Sequence, residues 1–208
     1  MQINLDENKL KEIKKKAILE FVPIIADDSL EYISELLKEI KPKKILEIGT
    51  AVGYSSSNFC KYLSIDQNNN DSYITTIERN DKRFKTAIEN IKQLNLDKYI
   101  NILYGDALDI LPNLKNDTYD VVFIDAAKGQ YIKFLEEAKR LVKDKGTIIA
   151  DNVLFHGLTL SDYNEHRNRT AVTRLRKFLD LINEDKQLDS KLVKVGDGLT
   201  VSLVNKFK

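Results

Sequence analysis

The sequence predicts an α/β chain: a doubly wound, mostly parallel seven-stranded sheet with an antiparallel C-terminal strand, helices on both faces and an N-terminal helical extension. Three observations carry this. Short apolar runs recur at residues 45–48, 73–77, 99–104, 119–124 and 146–150, each closed by a glycine or an acid, as buried parallel strands read. Helical patterns at 81–94, 130–142 and 166–182 supply crossovers between strands. Two last runs, 192–195 and 199–204, flank Gly196-Asp197-Gly198, a hairpin signal that turns one strand antiparallel.

Taken in order, residues 5–21 carry Leu10, Ile13, Ala17 and Phe21 at helical spacing, with Lys14-Lys15-Lys16 on the solvated face. Pro23 interrupts, and Asp27-Asp28-Ser29 offer N-caps for a second helix over 30–40. Both helices precede the first strand, so residues 1–42 are expected to form a helical cap, a lid or an interface, on a core spanning 43–208. The first strand, 45–48, contains Glu47 and ends at Gly49. Gly49 and Gly53 frame a tight turn, and Ser55-Ser56-Ser57 lead into a helical pattern over 58–63. Residues 66–72 are polar and loop-forming. The helix at 81–94 gathers Phe84, Ala87, Ile88, Ile91 and Leu94 on one face. No repeat or linker appears, so residues 1–208 are read as a single domain.

Composition narrows the function classes. The 208 residues are 42% hydrophobic and 31% charged, which describes a globular chain with no disordered bulk. Lys plus Arg number 33 against 32 acids, so no global charge drives binding to nucleic acid or membrane, and an electrostatic partner must be met by a local patch. The single Cys60 excludes an internal disulfide and a cysteine zinc cluster. Two histidines, His156 and His166, do not build a histidine-rich metal site. Residues 1–16 lack the apolar core of a signal peptide, and no run approaches the ~20 apolar residues that span a bilayer. The expected location is the cytoplasm.

Ligands of doubly wound sheets sit beyond the carboxyl ends of the strands. Here those ends carry Glu47, Glu78, Asp106, Asp125 and Asp151. One such acid is ordinarily a cap or turn residue; five in succession are not explained by capping alone. Glu78 is placed to accept both ribose hydroxyls of a nucleoside, with Asp106 and Ala107 against the base. The turn Gly49-Thr50-Ala51-Val52-Gly53 breaks the phosphate-binding glycine spacing, and Glu47 repels a pyrophosphate while suiting a cation. A nucleoside with a cationic, phosphate-free tail fits better, and S-adenosylmethionine (SAM) is the candidate.

These residues also carry a family resemblance. Glu-Ile-Gly-Thr-x-x-Gly-Tyr-Ser at 47–55, Gly-Asp-Ala at 105–107, Phe-Ile-Asp-Ala-x-Lys at 123–128 and Asp-Asn-Val at 151–153 resemble the cation-dependent O-methyltransferases of the catechol and caffeoyl-CoA type, whose fold is Rossmann-like. The resemblance runs from about residue 22 to the C-terminus. It implies SAM contacts at Ile25, Glu47, Gly49, Thr50, Ser55, Glu78, Asp106, Ala107 and Asp125, and it favours a homodimer.

Asp125 and Asp151-Asn152 close the fourth and fifth strands, expected to be neighbours roughly 5 Å apart. Two carboxylates and an amide oxygen form a hard donor set that favours Mg²⁺, with Mn²⁺ as the other candidate. Three protein ligands leave about three octahedral positions for a water and two substrate oxygens. Such a cation selects vicinal oxygens and lowers the hydroxyl pKa. Lys128, three residues after Asp125, is the candidate base, since an ammonium beside a dication gives up its proton more readily; the resemblance assigns the matching lysine that role.

The most basic window spans 166–177, with Arg167, Arg169, Arg174, Arg176 and Lys177 around an apolar stripe of Val172, Leu175, Leu179 and Ile182. Such a run is either a solvated helix face or a phosphate contact. With residues 152–157 it looks like the bacterial branch that methylates 5-hydroxyuridine at the tRNA wobble position, where the 5-hydroxyl and 4-carbonyl are vicinal oxygens. The expected partner is then a tRNA anticodon loop, whose unstacked bases suit a one-base pocket, with Tyr131 or Phe155 available to stack. A small catechol or phenolic acceptor is the alternative. A nucleotide-binding oxidoreductase is opposed by Glu47, and an inactive RNA-binding module by the set Asp125, Lys128, Asp151 and Asn152.

Overall fold

The computed structural model describes residues 3–66, 71–162 and 168–207. Their strands form a seven-stranded mixed sheet, as the sequence predicts. The chain divides into two compact units, residues 1–110 and 111–208.

In the first unit, β1 (Lys44–Ile48), β2 (Tyr73–Glu78) and β3 (Ile100–Tyr104) pair in parallel, with β2 between the other two. Ile45, Leu46 and Ile48 are fully buried, which is why this strand reads as an unbroken apolar run. Helix α1 (Glu7–Leu19) starts where the Asp6 carboxylate accepts the backbone N–H groups of Asn8 and Lys9, and buries Leu10, Ile13 and Ala17. Helix α2 (Asp27–Ile40) begins earlier than the capping pattern suggests. Its N-cap is Ala26, and Asp27 and Asp28 lie inside the first turn, where the helix dipole favours them. Both helices contact α3 (Tyr54–Phe59). The serines read as a lead-in to a helix are themselves that helix, and residues 60–62 continue it as a 3₁₀ turn. Helix α4 (Asp81–Gln93) is capped by Asn80, whose side chain accepts Arg83 N–H at 3.0 Å, and packs on β2 and β3. A short helix α5 (Ala107–Ile110), unmarked by any periodicity, closes the unit. Part of the polar loop, residues 67–70, lies outside the described residues; beside it Asp71 pairs with Lys44 at 2.7 Å.

In the second unit, β4 (Tyr119–Ile124) pairs parallel with β5 (Val142–Ala150), and β7 (Leu199–Val204) runs antiparallel to both β5 and β6 (Leu188–Val193). Strand β5 starts four residues before the apolar run. Its polar first half, with Lys145 at φ 61°, forms an irregularity against β4 between Tyr119 and Val121. Strand β6 likewise begins at Leu188 rather than 192, because an exposed edge strand carries no apolar run. Helix α6 (Tyr131–Leu141) packs on β4 and β5, and α7 (Arg169–Glu184) on α6 and β6. The window predicted to open a helix at 166 includes His166 and Arg167, which lie outside the described residues.

The β6–β7 turn grips the segment that follows β5. Val153 N–H donates to Gly198 O at 3.1 Å and Leu154 N–H to Asp197 O at 2.8 Å. Gly198 sits at φ 83°, and a Cβ there would lie 2.3 Å from Leu154 Cγ. Left-handed strain and overpacking together make Gly198→Ala cost about 2–4 kcal/mol, read as a lowered urea midpoint; a change within ~0.5 kcal/mol would show that the turn relaxes freely.

Lys139 on α6 pairs with Asp185 at the end of α7. Burial pushes the Asp185 carboxyl up, but Lys139 and the Gln187 N–H outweigh it and hold it below its ordinary value. A carboxyl lowered in the folded state stabilises above its unfolded pKa, about 4, and loses that contribution as pH falls through the folded value. Wild type should therefore exceed Asp185→Asn in urea midpoint at pH 6, with the gap closing toward pH 3. A gap independent of pH would remove the ion pair as its cause.

Candidate functional site

In the first unit the candidate residues converge on the turn after β1. Gly49, at φ 106°, and Thr50 both donate backbone N–H to Ile77 O at 3.1 Å, tying the turn to β2. Gly53, at φ 80°, is the N-cap of α3, where a Cβ would approach Ile91 Cδ1 at 3.3 Å. Asn90 of α4 donates its amide to Val52 O at 2.9 Å and pins the turn from outside. Glycine serves both positions because they need positive φ, and Gly53 also packs closely against α4.

Glu47 is 0% exposed. Its Oε1 accepts the Ser55 hydroxyl at 2.5 Å and its Oε2 the Thr76 hydroxyl at 2.6 Å. Thr76 has one proton and gives it to Glu47, so in the 2.6 Å contact between the two threonine hydroxyls Thr50 is the donor. The acid thus lies beneath the turn, and its charge reaches Thr50 through Thr76. Three residues expected around the cofactor, Glu47, Thr50 and Ser55, form one hydroxyl–carboxylate network; Thr76, which completes it, was not singled out in the sequence. It stands in mid-strand, where a threonine is ordinary, and only its register opposite Glu47 marks it.

Glu78 ends β2 with Oε2 accepting Ala51 N–H at 2.9 Å and Oε1 accepting Asn80 N–H at 2.8 Å. Each oxygen keeps a second lone pair, so a pair of ribose hydroxyls fits a carboxylate oriented this way. Asp106 caps α5, accepting Leu108 N–H at 2.9 Å, and faces Arg79 at 3.4 Å. Ala107 is buried, and Ile25 is buried in the segment before α2.

In the second unit Asp125 and Asp151 follow β4 and β5. Asn152 joins them: its Nδ2 donates to Asp125 Oδ1 at 3.1 Å, and its backbone N–H to Asp151 Oδ1 at 2.7 Å. With the amide nitrogen engaged, Oδ1 of Asn152 is the acceptor left for a cation. Asn152 adopts φ 59°, a conformation asparagine tolerates. Burial pushes the Asp125 carboxyl up, against the pull of Lys128 and Asn152. Burial and the neighbouring Asp125 charge push Asp151 up to about 7. Two neighbouring carboxylates, Asp151 buried and Asp125 half-buried, with an amide oxygen match the hard donor set of a divalent cation, whose charge would remove that penalty. Among the described residues no group of three or more His, Cys, Asp and Glu side chains gathers, so any cation here rests on two carboxylates and the amide.

Lys128 opens the 3₁₀ turn Lys128–Gln130, and its Nζ lies 5.5 Å from the centre of the Phe155 ring. Tyr131 does not face an acceptor. It is 1% exposed, packs edge-on against Phe178 at 5.5 Å and donates its hydroxyl to Asp151 O at 2.6 Å. Burial raises its pKa well above the ordinary tyrosine value, so it remains a neutral donor. Of the basic window, Arg176 is half-buried and donates to the carbonyls of Thr159 at 3.1 Å, Leu158 at 3.2 Å and Ser161, fastening the turn at 158–160. Arg174 reaches Gly129 O at 3.3 Å from an exposed position, Arg169 and Lys177 are exposed, and Arg167 lies outside the described residues. A cavity of about 370 Å³ between α6 and α7, lined by Ile132, Leu135, Glu136, Lys139 and Leu181 among others, contains none of the strand-end acids.

Comparison with known proteins gives a consistent result. Residues 3–206 match the family described as O-methyltransferase. The tapetum-specific methyltransferase 1 of Arabidopsis thaliana is 33% identical over 204 residues, covering 92% of this chain and 84% of that protein. A caffeoyl-CoA O-methyltransferase of Stellaria longipes is 30% identical over 207 residues, covering 94% and 83%. The crystal structure of an O-methyltransferase from Bacillus cereus in complex with SAH superposes with a TM-score of 0.84 at 26% identity, covering 96% of this chain and 92% of that one. No described helix is long and apolar enough to cross a membrane.

The Glu47 network makes a direct demand on Thr76. Thr76→Val removes a donor from a buried carboxylate and the acceptor of Thr50, and should cost about 2–3 kcal/mol by urea denaturation, while Thr76→Ser keeps the hydroxyl and most of the stability. Equal stability of the two variants would show that the hydroxyl is dispensable.

Proposed function

We propose, since this chain belongs to the O-methyltransferase family, that a divalent cation assists its methyl transfer and that its acceptor carries two vicinal oxygens. SAM-dependent O-methyl transfer itself follows from the family and from the similar Bacillus cereus O-methyltransferase solved with SAH. The single observation that carries the finer reading is the pair of half-buried Asp125 and buried Asp151, bridged by Asn152. Asp125, Asp151 and Asn152 would hold Mg²⁺ or Mn²⁺, which supplies Lewis-acid activation and orientation of a hydroxyl when bound.

The roles of the protein groups follow. In the first unit the turn at 49–53, with Glu47, Thr50 and Ser55 beneath it and Glu78 oriented by Ala51, binds SAM, and Ile25, Asp106 and Ala107 complete the contacts of that unit. Lys128 would take the proton of the acceptor hydroxyl, whose oxygen then attacks the methyl carbon in line, so that the O–C bond forms as the C–S bond breaks and S-adenosylhomocysteine leaves. Lys128 is supported in that role by its place three residues after Asp125 and by its nearness to both carboxyls.

A small catechol-like or phenolic acceptor is the better supported of the two acceptors. The curated relatives that match nearly the whole chain include a caffeoyl-CoA O-methyltransferase by name, and Arg176 is engaged within its own fold. The 5-hydroxyuridine of a tRNA anticodon loop is the second reading, favoured by the exposed Arg169, Arg174 and Lys177 on α7. A homodimer in the cytoplasm suits either reading: Cys60 is a buried free thiol, and Ile18, Leu19 and Phe21 expose apolar surface at the end of α1.

Labelled methyl transfer from SAM with Mg²⁺ to a catechol series and, in parallel, to tRNA bearing 5-hydroxyuridine separates the acceptors. Lys128→Ala and Asp151→Ala should each lower turnover at least about a hundredfold while SAM still binds. Full turnover in Lys128→Ala removes it as the base, turnover insensitive to chelator removes the cation, and transfer to tRNA alone reverses the order of the acceptors.

A further inference from the structure

We propose that Tyr131 is a positioning residue that clips the ends of β4 and β5 together and so sets the spacing of Asp125 and Asp151. This rests on the reading that Asp125, Asp151 and Asn152 hold a divalent cation.

The need for a clip arises from where pairing stops. The parallel ladder between β4 and β5 ends at Ile124 and Ala150, and the antiparallel ladder between β5 and β7 also ends at Ala150. Asp151 N–H still reaches Ile124 O at 2.9 Å, but the Asp151 carbonyl lies beyond both ladders and is buried with its residue. A buried carbonyl needs a donor. The Tyr131 hydroxyl supplies one at 2.6 Å. Tyr131 follows Asp125 by only six residues, so its hydroxyl joins the segment that leaves β4 to the backbone of Asp151. One hydroxyl therefore ties the segment that follows one carboxylate to the backbone of the other.

The phenol is itself held. Its ring is 1% exposed and meets Phe178 at 83° between planes, and Phe178 is equally buried on α7. Tyr131 is delivered by the 3₁₀ turn Lys128–Gln130, so the segment from Asp125 to Tyr131 carries a cation ligand, the candidate base and the clip in seven residues. The two carboxylates repel each other, and the clip opposes their separation through the backbone, where a side-chain rotation cannot release it. Groups that orient metal ligands from outside change metal affinity by roughly 10- to 100-fold when removed.

Tyr131→Phe keeps the ring and removes only the hydroxyl. Ser202→Ala is the comparison: it removes a buried hydroxyl from β7 that faces Ser190 at 2.7 Å, away from Asp125 and Asp151. Mn²⁺ and SAM binding to the full chain are measured by titration calorimetry, and thermal midpoints are measured alongside. Tyr131→Phe should weaken Mn²⁺ by about tenfold with SAM affinity unchanged within about twofold, whereas Ser202→Ala should lower the midpoint and leave both affinities alone. Unchanged Mn²⁺ affinity in Tyr131→Phe, or the same loss in Ser202→Ala, overturns the clip. Wild type and Asp151→Ala binding Mn²⁺ alike would instead overturn the cation site, and the clip with it.

Discussion

Burying a carboxylate at the end of a strand costs several kcal/mol unless donors or an opposite charge meet it, and this constraint shapes both units of the molecule. Glu47 and Glu78 stand in the last residues of parallel strands, and Asp125 and Asp151 just past them. What surrounds each acid follows from that demand. The glycine turn, the serine helix and the strand register can be read as ways of bringing donors to these oxygens.

The first unit meets the demand internally. Glu47 has hydroxyl donors on both oxygens, and Thr76 passes the link on to Thr50 in the turn. Glu78 has a backbone N–H on each oxygen. In the proposed function such groups would hold the cofactor by shape, because their donors are already oriented before it arrives. The second unit leaves the demand partly unmet. Asn152 and Lys128 offset only part of the burial, and Asp151 stays raised to about 7. An acid pair left in that condition is suited to a cation, whose charge substitutes for the missing donors. The two solutions divide the labour of the proposed reaction between cofactor binding and acceptor activation.

Arg176 and Tyr131 show how a residue's type can suggest one role and its surroundings assign another. An arginine in a basic window reads as a phosphate contact, yet here its guanidinium meets the carbonyls of Leu158, Thr159 and Ser161. A tyrosine near a strand end reads as a stacking platform, yet its hydroxyl completes the backbone of Asp151. Polar tips on long side chains reach several partners, and the nearest unsatisfied carbonyl decides among them.

Much was legible from residues alone. The apolar runs identified β1, β2, β4 and β5 because both of their faces are buried, and β3 because even this edge strand is mostly apolar, while the glycine-flanked closing pair identified the hairpin. The strand-end acids stood out because charge inside an apolar run has few explanations. Edge strand β6 was placed four residues late and α5 was missed, since an exposed strand has no apolar run and a four-residue helix has no period. What the sequence by itself determined was the fold class and the list of candidate acids, both of which depend on local pattern and burial. Tertiary structure decided which of those acids lie enclosed, that Thr76 and Tyr131 complete their surroundings, and that Arg176 serves the fold. Those assignments depend on partners far apart in sequence, 29 residues between Thr76 and Glu47 and 20 between Tyr131 and Asp151, which no local pattern encodes.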